Sequence, residues 1–354
     1  MEASPAPEPG GPTDRIRVLE SFGPPHQQTN PYIVQLYRAM PPSVDALYFS
    51  WGRALRGDYD VFHLHWPEIF VRGVTRPKAL IRGTLFLLLL LRLRLGRKAL
   101  VRTLHDRIPH EAPNPLQRVV IALSERWTTL WITLNSESRP PQGAPFVRSE
   151  IGHFKDWFAP PDREPQPGRL VHFGLVRRYK GVTRLIRAFA EVPDESLSLH
   201  IVGAVQDPIL RDEIETLCAA DPRVVVTDDY VSDDVLRSEV LDSQLVVLPF
   251  SRITNSSSLI LALSLDRPVL APRASSISEV AEEVGPGWVW LYDGELEADD
   301  IARALEHVTT ALPTVPPDLS RRDWSVIGED HAGAFAEAVA LTRRQLRQKR
   351  WISP

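Results

Sequence analysis

Short apolar runs alternate with longer amphipathic stretches along almost the whole chain, the pattern of parallel strands buried on both faces and joined by helices. In the first half these runs predict strands at 16–22, 45–49, 61–64, 99–104, 130–133 and 146–147, with helices opening near Pro31, Pro77, Pro115 and Ser136. A stretch rich in proline and charge, 160–169, interrupts the alternation as an interdomain linker does. Beyond it, strands at 170–173, 197–202, 224–227, 245–248, 268–270 and 289–291 alternate with helices opening near Val182, Pro208, Asp233, Ser256, Ser278 and Ala298. The expectation is an α/β fold of two doubly wound, Rossmann-like domains, 14–159 and 170–322. Residues 1–13, acidic and Pro-rich, are expected to form a disordered tail, and 323–354 a closing helix and its tail.

The segment 77–96 departs from the pattern. Its uninterrupted apolar core, from Leu85 to Leu91, is far shorter than the roughly 20 residues a membrane-spanning helix needs. Arg76, Lys78 and Arg82 flank it on one side, and Arg92, Arg94, Arg97 and Lys98 on the other, which suits a helix lying on an anionic leaflet through residues 76–98. A buried crossover helix, with cations placed for its dipole, accounts for the same residues. The N-terminal residues contain no apolar stretch of the signal-peptide kind, so the expected location is the cytoplasm, or peripherally the inner face of the plasma membrane.

Composition narrows the classes further. The chain has 354 residues, of which 43% are hydrophobic and 24% charged, enough for two soluble domains. A net charge of -4 offers no general argument for nucleic acid. The single cysteine, Cys218, excludes an intramolecular disulfide, and no Cys/His spacing resembles a zinc site.

Ligands of doubly wound sheets sit beyond the C-terminal strand ends, so residues there carry the chemistry. In the second half these are Gly174, Arg177, Arg178 and Lys180, then Gly203, then Tyr230 and Val231 after an Asp228-Asp229 pair. After the run that ends at Pro249 comes Thr254, Asn255, Ser256, Ser257 and Ser258 before an apolar stretch of helical length. A helix start with unpartnered N–H groups, hydroxyls and nearby cations is a cradle for a diphosphate, although Thr254 or Asn255 could equally cap a core helix. In the first half His63 and His65 alternate and therefore face one side, with Glu68 just past the strand; His105, Asp106, His110 and Glu111 follow the next strand end. A lone strand histidine is by default bonded to backbone; this many histidines and carboxylates at strand ends favour a site. The aromatic residues near Gly152, namely Phe154, Trp157 and Phe158, are expected to pack the hinge rather than to line a ligand site.

Several of these motifs, in order, carry a resemblance. Phe173-Gly-Leu-Val-Arg-Arg-Tyr-Lys-Gly181, Leu199-His-Ile-Val-Gly203, Tyr230-Val-Ser-Asp-Asp234, Leu248-Pro-Phe250 and Arg267-Pro-Val269 resemble the donor half of GT-B glycosyltransferases over most of 170–290. The two glutamates that flank the phosphate helix in the common pattern fall on Ile253 and Leu261 here. The Thr-Asn-Ser-Ser-Ser version is similar to a subgroup of inverting bacterial β-mannosyltransferases that act on polyprenol-diphosphate-linked sugars. Asn30-Pro-Tyr32, Asp60-Val-Phe-His-Leu-His-Trp-Pro-Glu68, Thr103-Leu-His-Asp-Arg-Ile-Pro-His-Glu111 and Gly152-His-Phe154 resemble that subgroup's acceptor half, with Asp106 in place of an amide.

The resemblance implies a GT-B architecture, two domains across a cleft with the closing helix crossing back to the first. It implies transfer of a hexose, mannose favoured, from a nucleotide sugar, GDP-mannose favoured over a UDP-sugar, to a lipid-linked saccharide with inversion. Cations and N–H groups at the donor site can stabilise the leaving diphosphate, and the adjacent aspartate pairs chelate poorly, so a metal-independent transferase with no cofactor and no metal site is expected. The acceptor hydroxyl needs a general base, for which Glu68, Asp106, His65, His105 and Glu111 are the candidates, with Glu68 and Asp106 preferred. A sugar-nucleotide epimerase or hydrolase on the same scaffold, and a non-catalytic nucleotide-sugar-binding partner, are the competing functions. The cradle and the first-half cluster together favour the transferase.

Overall fold

The computed structural model describes residues 15–26, 29–73, 75–105, 115–251, 257–311 and 313–351. The chain divides into two compact units, one of residues up to Glu150 together with those from Trp324 onward, the other Ile151–Asp323. The sequence-based boundary stands at 159/160; residues 151–159 and the Pro-rich stretch after them group with the second unit.

The first unit is a six-stranded parallel sheet in the order β2-β1-β3-β4-β5-β6. Its strands are β1 (Ile16–Glu20), β2 (Val44–Leu47), β3 (Val61–Leu64), β4 (Ala99–Leu104), β5 (Leu130–Thr133) and β6 (Phe146–Arg148). The helices are α1 (Pro31–Arg38), α2 (Trp51–Arg56), α3 (Pro67–Val71), α4 (Arg76–Leu95), α5 (Pro115–Trp127) and, from the far end of the chain, α12 (Trp324–Trp351). Asn30 caps α1 by accepting from the Tyr32 N–H at 3.0 Å, and Pro31 at its first turn needs no N–H partner. The central strands alternate between two buried faces. Phe62, Leu64 and Leu100 pack with Phe70, Phe86, Leu89 and Leu90 of α3 and α4, while Val18, Val61, Val101 and Ile132 pack with Phe335 and Ala338 of α12. Both faces being apolar, these strands read as continuous hydrophobic runs.

The second unit repeats the design in the order β12-β11-β10-β7-β8-β9. Its strands are β7 (Arg169–Phe173), β8 (Ser198–Val202), β9 (Val224–Thr227), β10 (Leu245–Val247), β11 (Val269–Pro272) and β12 (Val289–Tyr292). The helices are α6 (Val182–Ala190), α7 (Pro208–Ala220), α8 (Asp233–Asp242), α9 (Ser257–Ser264), α10 (Ser275–Val284) and α11 (Ala298–Ala311). Phe154 and Phe158 are buried in this unit and Trp157 Nε1 donates to Asp233 at 2.8 Å, so this aromatic group packs.

Three local expectations change. No helix opens at Ser136, where Asn135 Oδ1 accepts from the Ser138 N–H at 2.7 Å in a turn that runs into Pro140 and Pro141. The short helices α2 and α3 carry too few residues for a periodicity to show. The helix expected near Ser278 opens three residues earlier, at Ser275.

Candidate active site

In the second unit the strand ends assemble a small polar floor. Gly174, just past β7, has φ +95°, and a Cβ there would stand 3.1 Å from Lys180 Nζ and 3.8 Å from Ser258 Oγ. The glycine therefore keeps open the space on which an ammonium and a hydroxyl of the first turn of α9 converge. Gly203, past β8 at φ +147°, lets the chain pass directly over the Gly174 carbonyl. Lys180 Nζ lies 5.5 Å above the Phe250 ring. Burial, and then the charge of Arg177, lower its pKa to about 8.

Other residues fall differently. Arg178 turns to Asp207 at 2.9 Å and is more than half exposed, so its charge is engaged on helix α7 and not over Gly174. Asp228 Oδ1 accepts from the Val205 N–H at 2.7 Å, and its other oxygen pairs with Arg211, which makes it a loop brace. Tyr230 is exposed and Val231 half-buried, while Ser257 opens α9 at the surface. Thr254, Asn255 and Ser256 lie outside the described residues. Leu261, at a position where the common pattern has a glutamate, is buried in α9. Sequence inspection passed over His172 of β7, wholly buried, its Nδ1 donating to the Val247 carbonyl at 2.9 Å; burial and the Lys180 charge lower its pKa to about 3.

In the first unit the ends of β1, β3 and β4 bring together a buried imidazole chain. His63 and His65 share the face that α12 covers, with the His63 ring 5.2 Å from Phe335 and 5.7 Å from His331. His65 Nδ1 and His105 Nε2 are 2.9 Å apart, and Trp66 stacks on His105 with centroids at 4.4 Å. His63 Nε2 meets Thr103 Oγ1 at 2.8 Å. Beneath them lies Glu20, the last residue of β1, wholly buried and missed by sequence inspection. Its carboxyl is pushed up by burial, but the attraction of His63 and His65 more than offsets this and holds it at about 2. Burial, followed by the charge of His63, lowers His65 to about 4, and burial with the His65 and His63 charges holds His105 well below the usual imidazole range. An imidazole so depressed is a weak proton acceptor at neutral pH.

Glu68, in the first turn of α3, is half-buried, and its charge is felt by buried Arg102, which also approaches Glu125 at 3.4 Å. Asp106, His110 and Glu111 lie outside the described residues.

Helix α4 shows two faces. Phe86, Leu89, Leu90 and Leu93 point into the core, while Ile81, Leu88, Leu91 and Leu95 form an outward stripe at helical spacing, Leu95 being 81% exposed. Arg92 is not part of the outward basic end, because its guanidinium donates to the Leu55 and Arg56 carbonyls at 3.2 and 3.0 Å. No helix among the described residues is long and apolar enough to cross a membrane.

Two parallel sheets with polar groups gathered at their C-terminal strand ends fit a doubly wound ligand-binding protein, and comparison with known proteins supplies the class. The family described as glycosyl transferases group 1 matches residues 167–311. A curated GDP-mannose:glycolipid 4-beta-D-mannosyltransferase of Xanthomonas campestris pv. campestris is 43% identical over 327 residues, covering 92% of this chain and 93% of that protein. A second, from a named strain of the same pathovar, is 44% identical over the same length. Among solved structures, Anabaena HepE in complex with UDP superposes with a TM-score of 0.55 at 15% identity, covering 96% of this chain and all of that one. The sucrose-phosphate synthase of Thermosynechococcus elongatus gives 0.56 at 15% identity, covering 95% and 99%. The chain belongs to the family of the GDP-mannose:glycolipid 4-beta-D-mannosyltransferases, and its fold is the two-domain α/β GT-B class.

Proposed function

We propose that this enzyme transfers mannose from GDP-mannose to a lipid-linked saccharide, forming a β-linkage with inversion. The observation that carries the reading is the 43% identity over 92% of the chain to an enzyme of that name. Lys180, Ser257 and Ser258, with Arg177 and the residues 254–256, are proposed to hold the diphosphate, with Gly174 and Gly203 keeping the approach open and Tyr230 and Val231 flanking the base. A cation and N–H or hydroxyl donors can stabilise the charge that develops on the leaving GDP without a metal at the donor. A first-unit carboxylate, Glu68 or Asp106, takes the proton of the attacking acceptor hydroxyl. Titration calorimetry should give measurable binding for GDP and GDP-mannose and at least about tenfold weaker binding for UDP and UDP-glucose, one lost base contact being on the order of 1–3 kcal/mol. Equal or tighter binding of the uridine ligands would reject the donor assignment.

The same proposal places α4 on the membrane that carries the acceptor. The outward stripe of Ile81, Leu88, Leu91 and Leu95 lies between Arg76 and Lys78 at one end and Arg94, Arg97 and Lys98 at the other. Such a helix binds an anionic surface by shallow apolar burial plus charge. Flotation with anionic vesicles is expected to carry the protein upward at low salt and less at high salt. Leu88→Ser with Leu95→Ser, or Arg94→Gln with Arg97→Gln, should reduce it. Binding unchanged in both variants would assign this face elsewhere.

A further inference from the structure

The floor beneath the first-unit histidines has a feature that the transfer reaction does not use. Glu20 closes β1 opposite His63 in the β1–β3 register, and His65 follows two residues on. Glu20 Oε2 is 3.0 Å from His63 Nδ1 and 3.5 Å from His65 Nε2, and all three side chains are fully buried. Both Glu20 oxygens, His63 Nδ1 and His65 Nε2 are buried without a hydrogen-bond partner among the described residues, as is the hydroxyl of Tyr32, whose ring centroid is 6.3 Å from that of His65. Native interiors leave few such atoms, and here four converge on one point. The far nitrogens, in contrast, are both held: His63 Nε2 by Thr103 Oγ1 and His65 Nδ1 by His105 Nε2. Imidazoles anchored from behind, with their other nitrogens turned toward a carboxylate, are arranged as metal ligands are.

We propose that Glu20, His63 and His65 form a binding site for one divalent cation of the zinc type, tying the end of β1 to β3 beneath the acceptor half. Their ligand atoms lie within 4.8 Å of one another. Tetrahedral zinc, with bonds of about 2.0–2.1 Å, sets neighbouring ligand atoms roughly 3.3 Å apart, and the 3.0 and 3.5 Å separations bracket that value. Glu20 can contribute both oxygens. A divalent ion would supply positive charge to the buried carboxylate and needs its imidazole ligands neutral. His65 would then keep its proton on Nδ1 and donate it to His105.

The test uses the full chain, purified from zinc-replete cells without chelator. Plasma mass spectrometry should find about one zinc per chain, lost in Glu20→Gln and His65→Gln. Thr103→Val, which removes only the hydroxyl behind His63, should weaken zinc affinity by roughly 10–100-fold in chelator competition. Chelator-stripped protein loaded with Co²⁺ should show visible d–d bands and regain its thermal midpoint with Zn²⁺. Should the ligand variants fail to fold, the wild type and Thr103→Val decide alone. Zinc below about a tenth of an equivalent, with no Co²⁺ bands and no midpoint change on Zn²⁺ addition, would mean that a proton holds the cluster together and would overturn the proposal. Zinc retained in both ligand variants would overturn it equally.

Discussion

Glu68→Gln is expected to lower turnover by roughly 10²–10⁴-fold while leaving GDP binding unchanged. In an inverting transfer the attacking hydroxyl loses its proton as the new bond forms, so a base must reach it from the acceptor side. The imidazoles nearby are poorly suited: burial lowers His65 to about 4 and holds His105 well below the ordinary range. Glu68 is a half-buried carboxylate in the first turn of α3, shortly after β3, which carries His63, and after His65 just past the strand end. The glutamine keeps shape and packing and removes only proton affinity. Loss of turnover with intact binding separates a base from a fold defect, and rescue of stability measurements to wild-type values in Glu68→Gln supports that separation. Turnover within about threefold of wild type would remove Glu68 from the reaction and leave Asp106 as the carboxylate to replace.

Lys180→Ala should weaken GDP binding by about 1.5–3 kcal/mol, roughly 10–100-fold, the scale of a hydrogen bond to a charged group. The loss should carry a pH signature. Burial, then the Arg177 charge, lower Lys180 to about 8 in the free protein. Below that pH the ammonium is charged and attracts the diphosphate. A bound diphosphate favours the charged form and raises the pKa in the complex, so affinity should fall as pH rises through about 8, by up to about tenfold per unit. In Lys180→Ala that slope should vanish. Calorimetry at several pH values between neutral and alkaline checks both; a wild-type slope retained in the variant would assign the titration to another group.

The strands were legible because parallel strands buried on both faces are apolar at every position, as in Val61-Phe62 and Leu130-Trp131. The helices α2 and α3 left only capping signals, Ser50 with Gly57 and Pro67, since six and five residues carry no measurable period. The positions of Gly174, Gly203 and Lys180 at strand ends were legible because each glycine follows directly on an apolar run and Lys180 comes shortly after the first. Glu20 was not. A glutamate at the end of an apolar run reads as a solvated strand end, and only the sheet order β2-β1-β3 sets it beside His63. A charged residue closing the strand that neighbours a His-x-His strand is the signal that could have found it. The roles of Arg177 and Arg178 looked interchangeable in the sequence; the structure distinguishes them, because Asp207 takes up Arg178.

The most direct test of the transferase reading incubates the full-length protein with isotopically labelled GDP-mannose and a lipid-linked oligosaccharide acceptor, then determines the product's anomeric configuration by NMR. The account predicts mannose joined to the lipid-linked acceptor in a β-linkage, with GDP released in equal amount. An α-linked product would contradict inversion, and hydrolysis or epimerisation of the donor without transfer would contradict the assigned function itself.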